Sequence, residues 1–253
     1  ENNLGYSGGC NVGLEYAFQH GADAVFLLNN DVTIDPQCVT QLVAAIRSDN
    51  TIGIVGPKVL FYDAPQIISF AGIYVDPRFV IYEKVGWGEI DNDQFESLVP
   101  TSYQDGCAFL ITRECYERVG GLDIGFWSYW EETDLCFRAA KYNFKVACQQ
   151  SAKIYHKISA AFGAYYERTP AAVYYQVRNK LLFHRRYAGN TRDELGAVLR
   201  VLAQSPRSLA SILFKGKDNR LINAQMYILA TIVGLLSDKW QPSHAFSPIR
   251  ISG

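Results

Sequence analysis

The chain has 253 residues, 49% of them hydrophobic, and a formal net charge of -1. That length allows one large domain or two small ones, and the hydrophobic fraction excludes a disordered chain. The near-neutral charge excludes a general nucleic-acid binder, and the six cysteines (Cys10, Cys38, Cys107, Cys115, Cys136 and Cys148) contain no C-x-x-C pair, which excludes the usual zinc signature.

The first stretch, Leu4-Gly5-Tyr6-Ser7-Gly8-Gly9-Cys10-Asn11-Val12-Gly13, is rich in glycine. It reads as a loop feeding a helix from Asn11 to about His20, with Leu14, Ala17 and Phe18 on one face and Gly21 as its C-cap. A glycine loop at a helix N-terminus favours an anion. A tight turn required by packing is the equal alternative.

Ala24 to Leu28 is an apolar run of strand length that stops at Asn29-Asn30-Asp31. The pattern suits a strand buried on both faces, with the polar residues at its carboxyl end, where open parallel sheets bind ligands. Asp31 is a hard oxygen ligand and Asn29 a neutral one. Together they suit a Mg²⁺ or Mn²⁺ that is itself bound to phosphate. The alternative is an Asx turn that leads into the helix started by Asp35-Pro36. That helix carries Val39, Leu42, Val43 and Ile46 at helical spacing. Thr51 to Leu60 then reads as a second buried strand, broken at Pro57, in the β-α-β order of a parallel unit.

From Phe61 to Pro100, short β-like pieces alternate with Asp, Pro and Gly, as in a meander. The acidic stretch from Gly86 to Ser97 reads as a mobile loop. Cys107 to Thr112 is another strand, and Glu114 to Val119 a short helix stopped by Gly120-Gly121. The aromatic run Phe126–Trp130 then leads into Glu131, Glu132 and Asp134. Acids at a helix start suit the macrodipole. They also suit a general base, because an aromatic wall desolvates a carboxylate and raises its basicity. Adjacent residues of a regular helix do not share one pocket, so one of Glu131 and Glu132 faces a substrate and the other caps or pairs.

Lys145 to Cys148 and Ala152 to Tyr155 read as two strands, the second ending at His156. A histidine just past a strand is a metal-ligand candidate, although most single histidines are not ligands. From Thr169 onward the chain reads as helical, with helices from Pro170, from about Asp193 to Ala203, and from Leu221 to Leu236. In the first of these, Arg178, Lys180, Arg185 and Arg186 interleave with Tyr174, Val177, Leu181 and Leu182. A basic helix of this kind suits an anionic membrane surface, and a helix with a merely charged solvent face is the alternative. No secretory leader pattern opens the sequence and no apolar run reaches spanning length, so a cytoplasmic location is expected, with a peripheral contact at the inner membrane face.

Four stretches, in this order, carry a family resemblance. They are Asn3-Leu-Gly-Tyr-Ser-Gly-Gly-Cys-Asn11-Val-Gly13, Leu27-Leu-Asn-Asn-Asp-Val32, Gly120-Gly-Leu-Asp123 with Trp130-Glu-Glu-Thr-Asp-Leu-Cys-Phe-Arg138, and Ile154-Tyr-His156-Lys157. The chain resembles the family 2 glycosyltransferases of the GT-A fold, in their bacterial rhamnosyltransferase-like branch. The resemblance implies an α/β fold with a Rossmann-like mixed sheet flanked by helices over residues 1–165, and a helical C-terminal extension over 166–253. Asn29 and Asp31 then stand at the ends of the D-x-D-type motif, and His156 where related enzymes bind the metal. Asn3, Gly5, Gly8, Gly9, Asn11 and Asn30 fall near the nucleotide sugar, and Gly121, Asp123 and Trp130 near the acceptor. Glu132 takes the position of the catalytic base, with Glu131 as the fallback. The family opens with a strand, helix and strand that bind the nucleotide base and have no counterpart here, so an upstream segment is expected.

The implied activity is inverting transfer of a sugar from a nucleotide-diphosphate donor to a glycan or lipid-linked acceptor, with Mg²⁺ or Mn²⁺. Two other readings remain at this point: a different metal-dependent sugar-nucleotide enzyme, such as a pyrophosphorylase, and a non-catalytic saccharide-binding or assembly protein on the same fold. The absence of Lys or Arg between Asn3 and Gly13 counts against the first, and the acids at Asp31 and Glu132 count against the second.

Overall fold

The computed structural model describes residues 3–157, 169–216 and 219–237. Its centre is a seven-stranded mixed sheet in the order β1-β8-β3-β9-β2, with β4 added to β3 and β7 to β9. Here β1 is Ala24–Leu28, β2 Val32–Ile34, β3 Ile52–Phe61, β4 Ala64–Phe70, β7 Leu98–Pro100, β8 Ala108–Thr112 and β9 Lys145–His156. All ten residues of β3 are buried, as expected of a strand covered on both faces. A separate hairpin pairs β5 (Ile73–Asp76) with β6 (Ile81–Lys84).

Helices cover both faces. On one side α2 (Cys38–Ser48) packs Cys38, Leu42 and Ala45 against Val55, Leu110, Cys148 and Ile154. On the other, α1 (Gly5–Gln19), α3 (Arg113–Val119) and α4 (Glu131–Lys141) set Leu14, Phe18, Cys115, Leu135 and Ala139 against Ile54, Phe109, Ile111 and Val146. The cysteines are free thiols, and all but Cys10 are buried. The helical remainder comprises α5 (Pro170–Tyr187), α6 (Thr191–Lys215) and α7 (Arg220–Leu236). α5 also joins the core of the sheet domain, where Leu182 and Phe183 pack with Phe126. The expected domain boundary at 165/166 lies outside the described residues, as does Glu1-Asn2 at the front.

Several local expectations change. The glycine-rich segment is not a loop: the helix begins at Gly5, so Gly8 and Gly9 lie within it. Helical backbone bonds outweigh the roughly 1 kcal/mol per glycine that the sequence pattern suggested would break it. β3 is not broken at Pro57; it runs on through a register shift between Pro57 and Lys58, opposite extra residues of β9. That irregularity also fuses the two expected strands after Lys145 into one. β1 and β3 do run parallel, yet they are not neighbours, because β8 lies antiparallel between them. The acidic 86–97 stretch is tied down: buried Lys58 pairs with Asp91, and Lys153 lies 2.9 Å from Asp91 and 3.0 Å from Asp93.

The basic helix is corrected too. Arg178 donates to Gly125 O, Lys180 to Gln204, Arg185 to Gly234 O and Glu194, and Arg186 to Asp123 and Asp134. Its cations serve intramolecular contacts, so the sequence-based argument for a lipid-facing α5 fails. No helix among the described residues is long and apolar enough to cross a membrane.

Candidate active site

The antiparallel pairing of β1 with β8 sets Leu28 opposite Ala108. The residues just after β1 therefore meet those just before β8: Asn29 N donates to Cys107 O at 2.9 Å. The pairing of β2 with β9 sets Val32 opposite His156, which carries Asp31 to the same place. Asp31 Oδ1 lies 3.3 Å from His156 Nε2. The donor atoms of Asp105, Cys107 and His156 lie within 4.8 Å of one another. Asp31 Oδ1 and His156 Nδ1 are buried and make no hydrogen bond among the described residues. Unsatisfied oxygen and imidazole atoms beside a carboxylate and a thiol are what a divalent cation would satisfy, so these residues fit one. Sequence reading found Asp31 and His156 but missed Asp105 and Cys107. An acid that precedes a strand carries no signal until the antiparallel partner is known.

Gly106 links this cluster to the acids of α4. A Cβ there would stand 3.4 Å from Glu132 Cγ and Cδ, in ordinary contact, so the Glu132 side chain lies directly against this glycine. Glu132 lines a small cleft with Tyr103, Tyr129, Trp130, Thr133 and Gln176. Burial raises its pKa to about 7, against a stabilising backbone bond, and the nearby Asp105 charge adds to the rise. Glu131 turns inward and is buried, with Oε2 unbonded among the described residues. Burial first, then the charge of Glu132, drives its pKa well above the carboxylate range. The two acids thus occupy different environments, as expected for neighbours on a helix.

The approach to α4 is strained. Trp127, Tyr129 and Trp130 have φ of 62°, 68° and 76°. Each left-handed non-glycine residue costs roughly 1–2 kcal/mol. Contacts from both sides hold the segment. Ser7 N donates to Trp127 O, and a side chain at Gly5 would run into the Trp127 ring at 2.6 Å. Trp130 packs against Phe183 and, edge-on, against His184 and Tyr82. His184 is itself fixed by Pro77 O and the Tyr82 hydroxyl.

The other expected site residues fall as follows. Asn3 Oδ1 accepts from Gly5 N at 2.9 Å, Gly8 packs against Leu4, and Gly9 faces open space. Asn11 is buried and exchanges two hydrogen bonds with the backbone of Leu122, so its amide serves the fold rather than a nucleotide. Asn30 is exposed at the turn. Gly121 sits against Asn11 and its carbonyl accepts from Arg138. Asp123 is not open to an acceptor: it is buried, caps Gly125 N and pairs with Arg186 at 2.9 Å.

No family model matches the sequence. The low-salt glycan biosynthesis hexosyltransferase Agl10 of Haloferax volcanii is 28% identical over 153 residues, covering 58% of this chain and 47% of its own length. The dTDP-rhamnosyl transferase RfbF of Shigella flexneri is 23% identical over 238 residues, covering 92% of this chain and 76% of its own. Among solved structures, GalNAc-T7 with UDP, GalNAc and Mn²⁺ superimposes with a TM-score of 0.50 at 14% identity, over 88% of this chain and 42% of that one. The chain has a GT-A-type mixed α/β fold, and its sequence is similar to those of curated glycosyltransferases. Several of its curated relatives are much longer: the chain spans about half the length of Agl10 and of an uncharacterised Mycobacterium tuberculosis relative.

Proposed function

We propose that this chain carries the metal and acceptor side of an inverting glycosyltransferase. The reaction moves a sugar from a nucleotide-diphosphate donor to a hydroxyl of a glycan or lipid-linked acceptor. One observation supports this above the others: the tripeptide Asp105-Gly106-Cys107 sets Asp105 and Cys107 beside His156, which in turn contacts Asp31, and also lies against Glu132. A leaving-group site and a carboxylate base therefore share one short piece of backbone.

Asp31 and His156, with Asp105 and Cys107 alongside, would hold the divalent cation, whose chemistry when bound is to neutralise charge growing on the departing diphosphate. An imidazole and a thiol in the donor set favour Mn²⁺ over Mg²⁺, which prefers oxygen ligands. Glu132 accepts the proton of the acceptor hydroxyl as that oxygen attacks the anomeric carbon from the face opposite the diphosphate. Its raised pKa gives a base stronger than an ordinary carboxylate yet ionised just above neutrality. Glu131, more deeply buried, stays out of proton transfer. Tyr103, Tyr129, Trp130 and Gln176 form the acceptor wall around Glu132, and Asn29, Asn30 and Asn3 lie on the donor side.

The test is release of nucleoside diphosphate from a panel of nucleotide sugars, with saccharide acceptors, in Mn²⁺ and in EDTA. Acceptor-stimulated release that EDTA abolishes supports the reading, and an anomeric configuration opposite to the donor's supports inversion. Saccharide binding without donor cleavage under any condition would favour a non-catalytic binding protein.

A further inference from the structure

The segment between Gly125 and Trp130 is gripped along its length by α5. Asn179 is fully buried, and its Nδ2 donates to the carbonyls of Phe126, Ser128 and Tyr129 at 2.8, 2.9 and 2.8 Å. Arg178 Nη2 donates to Gly125 O at 2.8 Å, and the Tyr175 ring stacks on Trp127 with an interplanar angle of 12°. These contacts span the left-handed residues Trp127 and Tyr129 and end where α4 begins. One amide group thus serves three carbonyls of the irregular backbone, one of which, Phe126 O, also accepts from Ser128 N at 2.6 Å. One turn earlier on the same helix, Gln176 lines the cleft beside Glu132.

Strained backbone persists only where its surroundings over-determine it, and such strain clusters where geometry matters to function. We infer that Asn179 is a positioning residue: it clamps the 126–130 segment in its left-handed course and so aims Glu132 at the acceptor, making α5 an integral part of the catalytic site. The kinetic part of this inference rests on the transferase reading above; the clamp itself does not.

Two variants separate donor capacity from volume. Asn179→Ala removes the amide, and Asn179→Asp keeps its shape but replaces two N–H donors with a carboxyl that offers one donor at most and none when ionised. Val177→Ala, which loosens α5 where it packs on α7, is the control for general destabilisation. Chymotrypsin nicking reports the clamp directly, since Phe126, Trp127, Tyr129 and Trp130 are all cleavable when the segment opens. Both Asn179 variants should be nicked there severalfold faster than wild type under native conditions, and Val177→Ala should not. In turnover, kcat should fall roughly 10²-fold, the scale of an ångström-sized misplacement, while affinity for the nucleotide sugar is retained. Wild-type resistance and wild-type kcat in Asn179→Asp would overturn the clamp. So would equal nicking and equal kcat loss in Val177→Ala, which would reduce the effect to stability. A wild-type protein with no transferase activity would overturn the functional reading, leaving nicking to decide the clamp by itself.

Discussion

Asp31 Oδ1 and His156 Nε2 stand 3.3 Å apart because Val32 is paired with His156 across β2 and β9. Two residues 125 positions apart in the sequence are thus set together by strand register, not by loop placement, and register is stiff. A cation bound as proposed would therefore meet a preorganised site. Asp31→Asn and His156→Ala should each weaken Mn²⁺ binding by roughly 10–100-fold or more, since even lost support to a ligand costs that much. Calorimetry or Mn²⁺ paramagnetic resonance, with nucleoside diphosphate present, measures it. Unchanged affinity in both variants removes the metal from this cluster.

Glu132→Gln should lower turnover by roughly 10²–10⁴-fold, the span of general acid–base catalysis, and leave donor affinity nearly intact. Glu131→Gln should do much less, because Glu131 is turned into the protein rather than the cleft. Steady-state kinetics on both variants decide the assignment. A larger loss in Glu131→Gln would transfer the base to that residue.

On this assignment the same carboxylate should make turnover depend on pH. Glu132 must be ionised to accept a proton, and its pKa is raised to about 7 chiefly by burial. Turnover should therefore fall as pH drops through about 7, not through the usual carboxylate range. Asp105 contributes to the rise, so a cation beside Asp105 should move the acid limb of the profile downward. A kcat profile flat from pH 5 to 8, taken as approximate bounds around that value, would show that Glu132 is not the titrating group.

Stability should carry the opposite sign. A carboxyl whose pKa is higher folded than unfolded adds stability below its unfolded pKa, and loses it as pH rises through about 7. Glu132→Gln removes that loss. The variant should match wild type near pH 4 and melt a few degrees higher near pH 8, on the order expected for a shift of this size. Thermal melts at both values test it, and equal melting points throughout would mean that Glu132 is not desolvated in solution.

The sheet and most helices were legible because their apolar periodicity is strong: β1, β3, β8, α2 and α4 lie close to where the pattern put them. Strand order was not, because the pattern along β8 says nothing of its place between β1 and β3. The same gap hid Asp105 and Cys107. Glycine content misled at α1, where Gly8 and Gly9 are helical, and charge misled at α5, where the arginines answer buried acids and carbonyls. Asp123 was placed near an acceptor by the family resemblance, and its partner, Arg186, was not legible because it lies 63 positions away.

Gly121 and Asn11 should be energetically coupled. A Cβ at residue 121 would stand 2.3 Å from Asn11 Oδ1, so Gly121→Ala must dislodge the amide that bridges Leu122. The expected loss is about 1–3 kcal/mol, the penalty for unpaired buried polar groups. In an Asn11→Ala background the same substitution should cost far less. Denaturant titration of the four proteins in this cycle measures the coupling. Additive losses would mean that the two residues do not share this contact.

Arg186 carries the last prediction. Its Nη1 lies 2.9 Å from Asp123 and 2.6 Å from Asp134, and the three side chains are 11%, 4% and 0% exposed. Asp134 also accepts from Arg138 at 2.7 Å and from the Tyr187 hydroxyl at 2.7 Å, so it keeps partners if Arg186 is lost. Among the described residues, the Asp123 side chain keeps only the Gly125 amide. Arg186→Met therefore leaves a carboxylate buried without a cation, which should cost about 3–5 kcal/mol. Arg186→Lys should recover part of this, because a single ammonium restores the charge but not the planar fork. Arg186→Met with Asp123→Asn should recover part as well, since no buried charge is then left unpaired. Raising the ionic strength should change none of these differences greatly, because a buried pair is poorly screened. Denaturant unfolding of the three variants at low and high salt provides the measurement. A loss under 1 kcal/mol in Arg186→Met, well short of that range, would place Arg186 with the solvent-screened surface ions and break the link it makes between α5 and α4.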